Sequence, residues 1–131
     1  MPLSAYCLLL YPQGATTASV LPVLQAVGLL GKALEEGVFA TGEQFLQHVC
    51  FLGCSPDIEL EPHPVKPFCY VGVPVDDAET VFQPIRKPLL RVRQWVLIGN
   101  VHEAEAVPDA ALLDVLAAAS GCRWKFAYLK P

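Results

Sequence analysis

The chain has 131 residues, 53% of them hydrophobic and only 17% charged, with a formal charge of −4. That length makes one domain, long enough to bury a core without disulfides or a structural metal. The acidic balance excludes nucleic acid as the main partner, because phosphate binding needs a basic surface.

Ala5 to Leu10 is an apolar run of strand length, closed by the turn Tyr11-Pro12-Gln13-Gly14. No basic residue precedes Cys7-Leu8-Leu9-Leu10, so it is not read as a signal peptide. The uncharged stretch before Lys32 contains Pro2, Pro12, Gly14 and Pro22, so it lacks the roughly 20 continuous apolar residues of a membrane span. The protein is therefore expected to be intracellular and cytoplasmic. Its five cysteines, an odd number, then favour reduced thiols over a disulfide framework.

Val20, Val23, Leu24, Val27, Leu30 and Leu34 recur at helical spacing, with Ser19 as N-cap and Gly37 beyond the end. Gly28 and Gly31 within that helix cost about 1 kcal/mol each relative to alanine. Thr41-Gly42-Glu43-Gln44 has capping-box spacing and predicts a second helix with Phe45, Leu46, Val49 and Leu52 as its stripe, stopped at Gly53. Asp57 to Glu61 alternates as a strand does, and Pro62, Pro64 and Pro67 mark a loop. Phe68 to Val73 is a further strand. Asp76 to Pro88 has no period and is read as a surface loop. Leu89 to Ile98 is the longest strand candidate, followed by a Gly99-Asn100 turn and a short strand over Val101 to Val107. Pro108-Asp109 opens a helix carrying Leu112, Leu113 and Leu116, which ends at Ser120-Gly121. Cys122 to Leu129 then alternates, with Trp124, Phe126 and Tyr128 on one side and Arg123 and Lys125 on the other.

This order predicts a single α+β domain over residues 1–131, with a mostly antiparallel sheet and its helices on one face. It is compatible with a βαββαβ, ferredoxin-like order. On the wet face, Asp57, Glu59 and Glu61 are expected to pair across strands with Arg91 and Arg93, or with Arg123 and Lys125.

Thiolates and imidazoles are the ligands of transition-metal sites and the reactive groups of thiol chemistry. His48, Cys50, Cys54, His63 and Cys69 crowd one stretch of the chain. Cys50, Cys54, His63 and Cys69 are the candidate set for zinc or another transition metal, though without the C-x2-C knuckle of structural zinc sites. Cys54, at an irregular Gly-Cys-Ser-Pro turn, is the best single reactive thiol. Cys7 and Cys122 read as core residues. Arg91 and Arg93 could face an anionic ligand beside the 76–88 loop, and His102, near Glu103 and Glu105, is a candidate base or ligand. The loop from Tyr11 to Thr17 joins strand to helix but lacks the glycines and lysine of a phosphate-binding motif.

Few charges on a small domain suggest apolar surface hidden against a partner. The leading reading is a domain without its own catalytic site, acting as a homo-oligomer or as an accessory subunit of a larger assembly. The alternatives are a Cys/His metal or thiol-redox site and a small anionic ligand-binding domain.

Overall fold

The first strand, β1 (Tyr6–Pro12), is buried from Cys7 to Pro12 with no polar alternation. Such a strand needs cover on both faces of its sheet, and it has it. The computed structural model describes residues 6–16, 18–51, 59–101 and 105–130. After β1 come α1 (Leu21–Ala26), β2 (Leu30–Glu35), β3 (Val38–Thr41), α2 (Phe45–His48), β4 (Val49–Phe51) and β5 (Tyr70–Gly72). Then follow β6 (Thr80–Phe82), β7 (Leu90–Val92), β8 (Val96–Val101), β9 (Ala106–Pro108), α3 (Ala110–Ser120) and β10 (Trp124–Leu129). Six strands form one sheet in the order β10-β1-β8-β5-β3-β2, with every adjacent pair antiparallel. The hairpins β4-β9 and β6-β7 are separate two-stranded sheets. Among the described residues no helix is long and apolar enough to cross a membrane.

One face of the sheet carries Leu8, Leu10, Val71, Val96, Ile98 and Trp124. They pack with Leu24 of α1, Phe45 of α2 and Leu112 and Leu116 of α3 in one buried cluster. The other face carries Leu9, Tyr11 and Ala127, covered by Phe82, Leu90 and Val92 of the β6-β7 hairpin. Trp95 meets Phe82 edge-on there, at 5.3 Å between ring centres. A sheet covered on both faces consumes apolar side chains at every position of its central strands. This accounts for part of the low charge fraction without any partner.

The mostly antiparallel α+β architecture agrees with the sequence, as do β1, the core of β5, α3 and β10. The Asp109 carboxylate accepts from the Ala111 amide at 2.9 Å, and Gly121 closes α3. Replacing Asp109 with alanine should therefore cost about 1 kcal/mol of stability in urea unfolding, with little change in fold.

Elsewhere local pattern and structure part. The long first helix is one short turn-and-a-half. Gly28 takes φ +77°, a left-handed conformation that ends α1, and Leu30 onward becomes β2 against β3. The residue at the start of α1 is Val20, although the Ser19 hydroxyl does accept from the Leu21 amide at 3.3 Å. Thr41 is not a capping residue: it ends β3, and its hydroxyl donates to the Leu60 carbonyl at 3.2 Å. The second helix shrinks to α2, because Val49 to Phe51 pair with Ala106 to Pro108. Glu59 to Glu61 form no strand: the Glu59 carboxylate folds back to accept from the Glu61 amide at 3.1 Å. Asp57 and Ile58 lie outside the described residues. The 76–88 loop contains β6, and the expected Leu89–Ile98 strand breaks at Arg93-Gln94 into β7 and β8. Gly99-Asn100 is no turn either. It lies inside β8, where Asn100 takes φ +61° beside an irregularity in the β1-β8 register.

Candidate functional site

Alternation along β7 turns Leu90 and Val92 into the second core and leaves Arg91 outside. β7 pairs only with β6, placing Arg91 opposite Val81. The expected cross-strand pairing with Glu59 and Glu61 is therefore replaced by a different partner. Arg91 Nη1 lies 3.5 Å from Glu79 Oε1, an exposed pair with side chains 62% and 48% accessible. Such a pair contributes little to stability. One Nη of Arg93 donates to the Asp77 carbonyl at 2.6 Å, tying the bend after β7 to the turn before β6.

The hairpin sits on the sheet next to the end of β1. Arg91 and Arg93 thereby face the loop Gln13-Gly14-Ala15-Thr16 across a cleft of about 450 Å³. Lys125, opposite Tyr11 in the β1-β10 register, reaches the same cleft from β10. Among the described residues its lining thus holds Arg91, Arg93 and Lys125 against one carboxylate, Glu79, in a chain that is acidic as a whole. The loop is held by the Gln13 amide donating to the Arg123 carbonyl at 2.7 Å and by the Thr16 hydroxyl donating to the Ser120 carbonyl at 3.4 Å. Tyr11 lines the floor, and burial raises its phenol, which keeps it a neutral hydrogen-bond donor at physiological pH. Both sequence elements were visible separately, the arginine pair and the strand-to-helix loop. What the sequence lacks is any sign that they meet, and from sequence alone Lys125 is only a charge on the wet face of a strand.

The proposed soft-ligand set does not converge in the same way. Cys54 and His102 lie outside the described residues. Among the described residues no three His, Cys, Asp or Glu side chains form a group able to hold a metal ion. Nδ1 of His63, on an exposed loop, accepts from the Val65 and Lys66 amides at 3.0 and 2.8 Å. Cys50 is half-buried on β4. Cys69 is buried, its thiol donates to the Asn100 carbonyl at 3.4 Å, and burial with the nearby Glu59 charge pushes its pKa up to about 12. It is a protonated thiol and a poor nucleophile at neutral pH. The His48 ring N–H donates from Nε2 to the Val27 carbonyl at 2.9 Å, fastening α2 to the end of α1.

A second buried polar group surrounds Asn100. The Asn100 amide donates to the Phe68 carbonyl at 2.8 Å, and the Tyr70 hydroxyl donates to the Cys7 sulfur. Burial is the main cause raising both Cys7 and Tyr70. Cys7, Cys69 and Tyr70 thus all hold their protons more tightly folded than unfolded. The unfolded chain releases them first, so their stability is intact below about pH 9 and declines toward pH 12. Melting temperature should fall steeply between about pH 9 and pH 12, each group adding about 1.4 kcal/mol per pH unit across its own window. Cys69→Ala should flatten that slope.

The chain matches no protein family, no curated protein and no solved structure. The cleft is therefore read from its own chemistry.

Proposed function

We propose that this protein binds a small anionic ligand in the cleft between the β6-β7 hairpin and the loop after β1. The observation that carries this reading is the convergence of Arg91, Arg93 and Lys125 on one concave surface. Arginine forks suit phosphate and carboxylate oxygens. Glu79 holds Arg91 when the cleft is empty and would exchange it for the ligand. Among the described lining residues no group is placed as nucleophile with a base beside it, and the proposal is binding rather than catalysis.

The test is calorimetric titration with inorganic phosphate, pyrophosphate and citrate at low ionic strength. Saturable binding of at least one anion, weakened by salt, is the expected result. Absence of saturable binding for all of them would remove the reading.

We further propose that the fold contains a ferredoxin-like core, β1-α1-β5-β8-α3-β10 in the sheet order β10-β1-β8-β5. The β2-β3 hairpin, α2 and β4 are then an insertion between α1 and β5. What supports this is the order and antiparallel sense of those four strands. The free thiols of Cys7, Cys50, Cys69 and Cys122 suit a reducing compartment. Association with a partner, expected from the low charge fraction, would use a different surface, the outer edge of β10.

A further inference from the structure

β10 is the terminal strand of the main sheet. Its outer edge is not covered along its length. The Tyr128 carbonyl accepts from the Ile85 amide at 2.9 Å, on the side away from β1. The Arg123 carbonyl, by contrast, accepts from Gln13 on the β1 side. Main-chain groups of an antiparallel strand alternate in direction, so Trp124 and Phe126 share the outward direction of Tyr128. Among the described residues no backbone group bonds Trp124 or Phe126 on that side. Unpaired edges of this kind are templates for another strand.

Beside this edge runs a mostly apolar groove of about 380 Å³, between α3 and the chain at Ile85. Leu113 of α3 forms one wall, and Trp124, Phe126 and Tyr128 the floor. The charged residues along it are Lys87 and Lys125, with no acidic residue among the described lining residues. Lys125 points to the face of β10 opposite Phe126, because adjacent strand residues alternate.

We infer that β10 is a docking edge for a short extended peptide whose residues alternate apolar and acidic. Its backbone pairs with the outward groups of Trp124 and Phe126. Its apolar side chains lie over Phe126 against Leu113, and its carboxylates lie on the opposite face near Lys125. A second copy fits this edge poorly. Two β10 strands paired about Phe126 would set Trp124 of one copy against Tyr128 of the other, where the chain at Ile85 already sits.

The probe is an N-acetylated, C-amidated hexapeptide of alternating valine and glutamate, titrated into the full chain and followed by amide exchange and chemical shift. Binding should slow exchange at Trp124 and Phe126 at least tenfold. The same peptide N-methylated along its bonding edge should bind at least tenfold more weakly, as should its lysine-for-glutamate counterpart. Leu113→Glu should weaken binding at least fivefold. The R91E/R93E variant should lose anion binding yet keep the peptide-induced protection at Trp124 and Phe126, which separates this site from the anion cleft. Equal binding of the N-methylated peptide, or no response at Phe126, would overturn the inference. So would protection of Phe126 that rises with protein concentration alone, since that assigns the edge to a second copy.

Discussion

Reversing both arginines, in the variant R91E/R93E, should weaken anion binding about a hundredfold with only a small drop in melting temperature. A hydrogen bond to a charged group is worth about 1.5–3 kcal/mol. Both guanidinium groups are exposed, so screening puts each near the low end, about tenfold apiece. Stability falls little because Arg91 lies outside the core and its pair with Glu79 is exposed, which leaves only the exposed Arg93 hydrogen bond to the Asp77 carbonyl to lose, about 1 kcal/mol. The companion variant Glu79→Gln should act in the opposite direction. Removing the carboxylate 3.5 Å from Arg91 frees that guanidinium for the ligand, and affinity should rise a few-fold. Calorimetry on the two variants with the same anion reads both signs. If Glu79→Gln weakens binding, Glu79 orients Arg91 rather than competing for it. If R91E/R93E binds as well as the parent chain, the anion sits elsewhere.

Placing a methyl group at Gly99 should be the most damaging small substitution in the sheet. Gly99 faces Tyr70 directly across the β5-β8 ladder, and a Cβ there would collide with the Tyr70 ring. Tyr70 cannot simply turn away. It is only 6% exposed, and its hydroxyl is bonded to Cys7 on β1. The ring therefore lies over the glycine and joins β1, β8 and β5 on one face. Overpacking of this kind costs about 1–3 kcal/mol, and Gly99→Ala should reach the upper part of that range in urea unfolding. Cys7, which is 5% exposed, should become more reactive toward a thiol reagent as the Tyr70 contact is lost. In a Tyr70→Ala background the Gly99→Ala penalty should nearly vanish, a non-additivity expected only of residues in contact. Equal penalties in both backgrounds would assign the cost to the β8 backbone instead.

The parts of the fold visible in the sequence were those whose signals are local and mutually consistent. α3 has a capping aspartate, an apolar stripe and a closing glycine, all within one segment. The alternation of β10 is legible because Trp124, Phe126 and Tyr128 pack with the α3 core while Lys125 stays exposed on the opposite face, although Ala127 on that face is buried under the β6-β7 hairpin. The errors fell where helical spacing coincided with residues recruited by distant strands. Leu30 and Leu34 continue the spacing of α1, yet Gly28 breaks the helix and β3 captures them. Val49 continues the stripe of α2, yet β9 captures it. Strand pairing is non-local, and no window of sequence contains both partners.

The same division holds for the candidate site. By itself the sequence determined the ingredients: a paired arginine stretch, a loop between strand and helix, an alternating closing strand, and cysteines mostly destined for burial. Only the tertiary structure decided which of them meet. Phe82, Leu90 and Val92 fasten the β6-β7 hairpin over Leu9 and Tyr11, and this burial brings Arg91 and Arg93 to Gln13-Gly14. It also left His63 on its own exposed loop and enclosed Cys69 as a protonated thiol. Apolar periodicity records which side of an element is buried but not against what. The cleft exists because of what the hairpin is buried against.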